Sequence, residues 1–278
     1  MNIAKQNIST FKIFEDPNFK FNKELHKYTY HDETTGEVLQ TFKSVSGFAD
    51  NFKEAFNGKQ VAENLSESNP LYGKPVDEIL KIWSDKGKAA AALGTEVHEW
   101  IENFYKTVTA DNIFATLEHE KLLEEPLGLT NLEVANRVES FREFYKERLN
   151  SIKSVFQEVK VFSRKWGYAG TVDGVFSVDG KRLIIGDYKT NKEFTTDSDW
   201  KGSRRRLFEP FENVFDNKHN NYSIQVSLYR LIIEEECGIE MDDPFLLWIP
   251  PKGTCKAFKA KDYRDKIRTY LNDKNLAI

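Results

Sequence analysis

Apolar residues recur at helical spacing in two stretches of the chain. In KGKAAAALGTEVHEWIENFYK they fall every three or four positions, which predicts a long helix with one face on a core. That face consists of Leu93, Val97, Ile101 and Phe104. The segment NLEVANRVESFREFYKERLNSI predicts a second amphipathic helix. Its apolar stripe consists of Val134, Val138, Phe141, Tyr145 and Leu149.

After the second helix the hydrophobic period changes from about 3.6 to two, which is typical of strands. SVFQEVKVFS, GYAGTVDGVFSV and RLIIGDYKT predict three consecutive strands. NYSIQVSLYRLIIEEECG predicts a helix that stops at Gly238, and FLLWIP predicts a late strand. The order helix, three strands, helix, strand predicts an α/β fold with a mixed central sheet flanked by helices.

Two regions lie outside this order of helices and strands, one at the N-terminus and one between the third strand and the following helix. Residues 1–50 alternate short β-type runs with the turn cluster DETTG, and a helical pattern begins near Phe52 and Pro75. We therefore expect an N-terminal β/α elaboration over residues 1–75, packed on a core over residues 76–278. Residues 191–221 are expected to form an inserted polar loop.

Composition narrows the class of protein only modestly. The 278 residues are 40% hydrophobic and 30% charged, with a net charge of -4, so a broadly basic surface is excluded but a local phosphate-binding patch is not. No apolar run approaches the roughly 20 residues of a membrane span. The N-terminus has no secretory pattern, which favours a cytoplasmic protein, and no membrane partner is expected.

The two cysteines, Cys237 and Cys255, are too few for a disulfide framework or a four-thiolate metal site. Two free thiols in a reducing compartment are the expected state, and a single disulfide is the alternative.

Two carboxylates and a lysine fall at the ends of neighbouring predicted strands. Asp187 and Lys189 are two residues apart in GDYKT and share one face of a strand. Asp173 lies on the preceding strand, in GTVDGVF. Carboxylates of this kind bind Mg²⁺, and a lysine beside them can orient water and offset negative charge, which is the chemistry of phosphodiester hydrolysis.

The strand register decides whether these three side chains meet. A two-residue turn through Asp179 and Gly180 would place Val172, not Asp173, opposite Asp187. A three-residue connection, with Gly180 in a left-handed or bulged conformation, restores the pairing of Asp173 with Asp187. A metal-dependent hydrolase therefore requires an odd-numbered connection at this position.

The spacing D-x(13)-D-x-K at a strand–turn–strand resembles the core motif of the PD-(D/E)XK nuclease superfamily. GTEVHEWIE is similar to the G-x-x-x-H-x-x-x-E helix of its RecB-like and phage-exonuclease branch, which includes the mitochondrial genome maintenance exonucleases. QVSLY is similar to that branch's Q-x-x-x-Y helix. The motifs cover residues 94–229, about half the chain, in the expected order. The resemblance implies a restriction-endonuclease-like αβββαβ core with N-terminal elaboration.

This resemblance implies a role for each matching residue. Asp173 and Asp187 would bind Mg²⁺ or Mn²⁺, His98 would be a further metal ligand, and Lys189 would be the catalytic lysine. Glu158 stands where many members carry another acidic residue, and an outward-facing strand carboxylate is the equal alternative. An iron–sulfur cluster, found in some members, is not expected because two cysteines cannot hold one.

Substrate contacts are expected from two further segments. Gln225 and Tyr229, four residues apart on one helix, would line the site by the same resemblance. A basic run follows the strand of Asp187 and has Trp200 and Lys201 beside it. The run is either a phosphate-gripping loop or a solvated charge run. It consists of Arg204, Arg205 and Arg206.

The function these expectations describe is a divalent-metal-dependent deoxyribonuclease. The branch resemblance favours an exonuclease on linear single- or double-stranded DNA, acting in recombination, replication or DNA degradation in a bacterial or phage-infected cell. The chain has no Walker motif, so processivity would require a partner or a ring, and a recombination or replication protein is the expected kind of partner. The alternatives are a catalytically silent DNA-end-binding or regulatory protein of the same fold, and a structure-specific endonuclease.

Overall fold

The computed structural model describes residues 11, 13–109, 121–123, 129, 131–149, 152–178, 182–197 and 205–276. The strands are β1 (Phe19–Asn22), β2 (Lys27–His31), β3 (Val38–Ser44), β4 (Lys153–Ser163), β5 (Tyr168–Ser177), β6 (Ile184–Lys189), β7 (Phe245–Trp248) and β8 (Lys256–Lys259). The α-helices are α1 (Gly58–Glu63), α2 (Val76–Thr109), α3 (Leu132–Phe144), α4 (Lys218–Cys237) and α5 (Arg264–Leu276). A 3-10 helix spans Val45–Phe52, and a π-helical turn spans Tyr145–Leu149.

One mixed sheet contains all eight strands of the described residues, with β5 at its centre. β4 pairs antiparallel with β5 along its whole length. On the other side of β5, β3 pairs in parallel with its first residues and β6 pairs antiparallel with its last residues. β7 then runs parallel to β6, and β8 closes that end of the sheet. At the other end β1, β2 and β3 form an antiparallel meander, so the N-terminal segment extends the same sheet.

Helices cover the sheet through two main hydrophobic clusters. The predicted stripes of α2 and α3 are buried together against Phe176, Tyr188 and Leu247, which confirms both helix assignments. The second cluster joins α4, α5 and the 3-10 helix to β4, β5 and β6. This arrangement confirms the predicted α/β fold with a mixed sheet flanked by helices.

The β5–β6 register confirms the predicted odd connection. Gly174 pairs with Gly186 and Val175 with Ile185, whereas a two-residue turn would pair Gly174 with Ile185. Continued by one position, the observed register sets Asp173 opposite Asp187. The connection itself, including Gly180, lies outside the described residues.

The segment 191–221, which was predicted to be a polar loop, contributes apolar side chains to the core. In its described parts, residues 191–197 and 205–221, four apolar side chains are buried in the main core, so these parts are packed rather than fully solvated. These side chains are Phe194, Leu207, Phe211 and Val214. The following helix also begins earlier than expected, at Lys218, because the Asn217 side chain accepts a hydrogen bond from Asn220 N and caps it.

Three local predictions are confirmed. Gly238 ends α4 in a left-handed conformation with a φ of 63°. The turn at residues 32–36 is closed by Asp32 Oδ1, which accepts hydrogen bonds from the backbone of Thr34 and Thr35. Cys237 and Cys255 are free thiols. Within the described ranges, no helix is long and apolar enough to cross a membrane.

Candidate active site

A cleft of about 790 Å³ opens between α2 and the β4–β5 strands. Helix α2 contributes His98, the strands contribute Glu158 and Asp173, and α4 contributes Gln225 and Tyr229. The β1–β2 hairpin also lines the cleft, through Phe21, Lys23, His26 and Tyr28. The cleft therefore brings together predicted site residues from α2, β4, β5 and α4.

Three potential metal ligands meet at the base of this cleft. His98 Nδ1 lies 3.6 Å from Asp173 Oδ1 and 3.7 Å from Glu158 Oε1. One donor atom from each of the three side chains lies within 4.8 Å of the others. An imidazole nitrogen and two carboxylate oxygens around one point form a donor set that suits a divalent cation.

Local backbone features position each of these donors. Gly94, one turn before His98, has Thr190 Oγ1 only 3.2 Å from the place a Cβ would occupy, so its small size lets α2 approach the end of β6. Asp173 Oδ2 accepts a 2.7 Å hydrogen bond from Tyr188 N just beyond the last β5–β6 pair. The carboxylate thus takes the place of a strand carbonyl, which fixes its orientation.

Glu158 lies opposite Asp173, since its neighbours Gln157 and Val159 pair with Gly174 and Val172. Its φ of 48° is in the left-handed region, which non-glycine residues in strands rarely adopt. Strained backbone of this kind costs about 1–3 kcal/mol and is concentrated at functional sites. The strain favours a ligand role for Glu158 over that of an ordinary strand carboxylate.

We expect Glu158→Gly to be more stable than Glu158→Ala by roughly 1 kcal/mol, because both lose the carboxylate but only glycine adopts this φ without strain. Urea denaturation of the two proteins in EDTA measures the difference. Equal stability, or a more stable alanine variant, would show that the backbone at residue 158 is not strained.

Beside the cluster, Asp187 and Lys189 form a buried ion pair. Lys189 Nζ lies 2.7 Å from Asp187 Oδ2, and the side chains are 14% and 3% exposed. Asp187 Oδ1 accepts a 3.4 Å hydrogen bond from Gln225 Nε2. The Lys189 ammonium also stands 4.4 Å from the centre of the Tyr222 ring, whose hydroxyl donates to Asn191 Oδ1. Lys189 is therefore held between a carboxylate and an aromatic face.

Burial and the close grouping of charged side chains shift the pKa values of three site residues. Burial raises the pKa of Asp187 to about 6, although Lys189 acts in the opposite direction. Burial also raises the pKa of Asp173. Burial alone would lower the pKa of His98, but Asp173 and Glu158 outweigh it and raise that pKa to about 9. Three carboxylates crowded into one buried site form an environment that a bound cation would stabilise.

Tyr229 is placed by a glycine on the central strand. Its hydroxyl oxygen lies 2.6 Å from where a Cβ on Gly170 would be, so any larger residue at position 170 would displace the ring. Tyr229 and Gln225, together with Tyr222, occur at positions i+7, i+3 and i of α4 and share the face turned toward the site.

The profile of the PD-(D/E)XK nuclease superfamily matches residues 76–266. This chain belongs to that superfamily. The match contains the three cluster residues and the Asp187–Lys189 pair. No curated protein matches the chain.

Most residues predicted for this PD-(D/E)XK nuclease meet in one place. The structure brings together His98, Glu158, Asp173, Asp187, Lys189, Gln225 and Tyr229. The predicted ligand Asp187 is engaged by Lys189 beside the cluster, so its role as a metal ligand stays a prediction.

The two described arginines of the basic run, Arg205 and Arg206, do not join the nuclease cleft. Arg205 is exposed and 3.6 Å from Glu54, and Arg206 stacks over the Phe215 ring. Neither lines the cleft. Arg204, with Trp200 and Lys201, lies outside the described residues. Binding of substrate by this run stays a prediction.

Two residues at the nuclease centre were not anticipated from the sequence. Tyr222 holds Lys189, and its position three residues before Gln225 on the same helix was an available indication. Tyr28 reaches the centre from the N-terminal hairpin and bonds Thr171 Oγ1 at 3.2 Å. That contact joins residues 143 positions apart, and no local pattern indicates it.

Proposed function

We propose that the chain is a divalent-metal-dependent DNA exonuclease that hydrolyses phosphodiester bonds from the ends of linear DNA. The observation that carries this proposal is the His98–Glu158–Asp173 cluster directly beside the buried Asp187–Lys189 pair. Membership of the superfamily supports nuclease chemistry and a DNA substrate. The helices that contain His98 and Gln225 resemble those of the RecB-like and phage-exonuclease branch, and this resemblance supports cutting from ends.

The donor set favours Mg²⁺ or Mn²⁺, with His98, Glu158 and Asp173 as ligands. Asp187 adds a further carboxylate beside them. A cation bound there would polarise the scissile phosphate and lower the pKa of the attacking water. Lys189 presents its ammonium to the same phosphate and orients the water. Asp187 and the Tyr222 ring keep that ammonium in place. Gln225 in turn orients the Asp187 carboxylate.

The proposal is tested by digesting the same DNA as a linear molecule and as a covalently closed circle, with Mg²⁺, with Mn²⁺ or with EDTA. We expect metal-dependent loss of the linear form and an intact circle. Cutting of the circle would establish an endonuclease instead. Binding of linear DNA without cutting in any metal would identify a catalytically silent end-binding protein.

Tyr222 is a positioning residue that acts through Lys189. We expect Tyr222→Leu to lower the cleavage rate about tenfold, since a partly desolvated cation–π contact contributes up to about 2 kcal/mol. Tyr222→Phe keeps the aromatic face and should restore most of the rate. Single-turnover cleavage of end-labelled DNA measures both variants. If phenylalanine is as slow as leucine, the hydroxyl bond to Asn191, not the ring, is the contact that matters.

A further inference from the structure

From the β1–β2 hairpin we infer a binding site for a base of single-stranded nucleic acid at the edge of the metal cluster, an inference that rests on the proposed nuclease function. The hairpin lies outside the superfamily match, which covers residues 76–266. It nevertheless lines the cleft through Phe21, Lys23, His26 and Tyr28. Its contribution therefore comes from a part of this chain that the family match does not describe.

The hairpin carries an aromatic shelf, formed by Phe21, His26 and Tyr28. Phe21 and Tyr28 are cross-strand partners whose rings stack with centroids 4.4 Å apart and planes 21° apart. His26 stands edge-on to Phe21 at 5.3 Å. Phe21 is half-buried at the rim of the cleft, whereas Phe19 on the same strand is buried in the core. Part of a supported aromatic ring is thus open to the cleft.

The shelf adjoins the metal cluster through β5. Tyr28 Oη lies 3.2 Å from Thr171 Oγ1, and Thr171 is two residues before Asp173 on the same strand. A nucleotide whose phosphate lies at Asp173 would therefore have a neighbouring nucleotide within reach of the shelf. The hairpin and the cluster form two parts of one continuous cleft.

Two lysines provide positive charge on this side of an otherwise acidic cleft. Lys160, which is exposed, is the cross-strand partner of Thr171. Lys23 is 84% exposed, and its ammonium lies 3.8 Å from Glu99 Oε1 on α2. An ion pair this exposed stabilises little, so Lys23 can exchange Glu99 for a phosphate at small cost.

This combination favours a single strand over a duplex. Aromatic side chains bind single strands by stacking on exposed base faces, and each such contact is worth about 1–3 kcal/mol. Within a duplex, neighbouring bases cover those faces. The shelf therefore fits a strand with unpaired bases, including the frayed end of a duplex, with the lysines on its backbone.

Equilibrium binding of a fluorescein-labelled single-stranded oligonucleotide, followed by anisotropy in EDTA, tests the shelf without cleavage. We expect Phe21→Leu, which keeps an apolar side chain but removes the ring, to weaken binding about tenfold. Phe56→Leu, at an exposed phenylalanine that does not line the cleft, is the matched control and should bind as wild type does. A base-free strand of the same length should bind wild type and Phe21→Leu equally.

The shelf is refuted if Phe21→Leu binds the normal strand as tightly as wild type does. It is also refuted if the variant loses the same affinity for the base-free strand. If the protein cuts no DNA but shows the expected binding differences, the nuclease proposal fails and the shelf stands. If it cuts DNA and Phe21→Leu leaves binding unchanged, only the shelf fails.

The salt dependence of strand binding tests the role of Lys23 separately from that of the aromatic shelf. We expect Lys23→Ala to flatten the slope of log Kd against log salt by about 0.7 for a single strand, the value for one phosphate contact. Lys27→Ala removes an exposed lysine of the same hairpin that does not line the cleft, and its slope should match that of wild type. Equal slopes for both variants would show that Lys23 does not contact a phosphate of the bound strand.

Discussion

Replacing Lys189 by methionine should reduce the DNA cleavage rate about a thousandfold, the upper range for losing one preorganised donor to a charged transition state. The Lys189 side chain is 14% exposed, and its ammonium lies 2.7 Å from Asp187 Oδ2. Methionine keeps much of the side-chain volume but cannot orient water or offset charge on the phosphate. The substitution leaves the metal cluster intact, because it changes none of His98, Glu158 and Asp173.

Two measurements separate this loss from unfolding. Single-turnover cleavage with saturating Mg²⁺ gives the rate, and titration calorimetry with Mn²⁺ should show that the Lys189→Met protein still binds metal. Lys192→Met, at an exposed lysine three residues farther along, is the matched control and should cut at the wild-type rate. A Lys189→Met protein that binds metal and cuts normally would exclude Lys189 from catalysis.

Replacing Asp173 by asparagine should weaken metal binding and abolish cleavage. Asparagine keeps an oxygen that can accept the hydrogen bond from Tyr188 N but removes a carboxylate from the metal cluster. Loss even of an outer partner of a metal ligand costs about 10–100-fold in affinity or activity, and loss of a ligand should cost more. We therefore expect Mn²⁺ affinity to fall at least a hundredfold and cleavage to fall below detection.

The stability of the metal-free protein should not fall in parallel. Burial raises the pKa of Asp173 more than the attraction of His98 and Lys189 lowers it, so the ionised carboxylate destabilises the metal-free fold and a neutral side chain removes that cost. Urea denaturation in EDTA should show Asp173→Asn to be at least as stable as wild type. The exposed Asp85→Asn change is the matched control for metal binding and cleavage. Asp173→Asn with normal Mn²⁺ affinity would rule out the cluster as the metal site.

Periodic segments could be predicted from the sequence, whereas short or charged ones could not. The stripes of α2 and α3 are long, and their burial depends on the helical period alone. β8 has only four residues and lies at the sheet edge, so it shows little pattern. α5 was also not predicted because its many charged residues obscure the buried pair Ile267 and Leu271. Both elements depend on tertiary contacts, since β8 pairs with β7 and α5 packs on α4 and on the 3-10 helix.

The candidate site also contains some residues that could be predicted from the sequence and others that could not. Asp173, Asp187 and Lys189 could be grouped from sequence because strand periodicity and one register choice determine their meeting. Glu158 could not be decided, since its contribution depends on a left-handed backbone in the middle of β4. The hairpin wall could not be foreseen either, because the contact between Tyr28 and Thr171 requires the whole sheet to be assembled.

The measurement that tests the central claim most directly is a time course of end-labelled linear DNA with purified protein in Mg²⁺, in EDTA, and after Mg²⁺ is restored in excess. The account predicts cutting in Mg²⁺, none in EDTA, recovery on restoring the metal, and no cutting by Asp173→Asn under any of these conditions. Equal cutting in EDTA, or cutting by Asp173→Asn at the wild-type rate, would contradict a metal-dependent nuclease centre at this cluster.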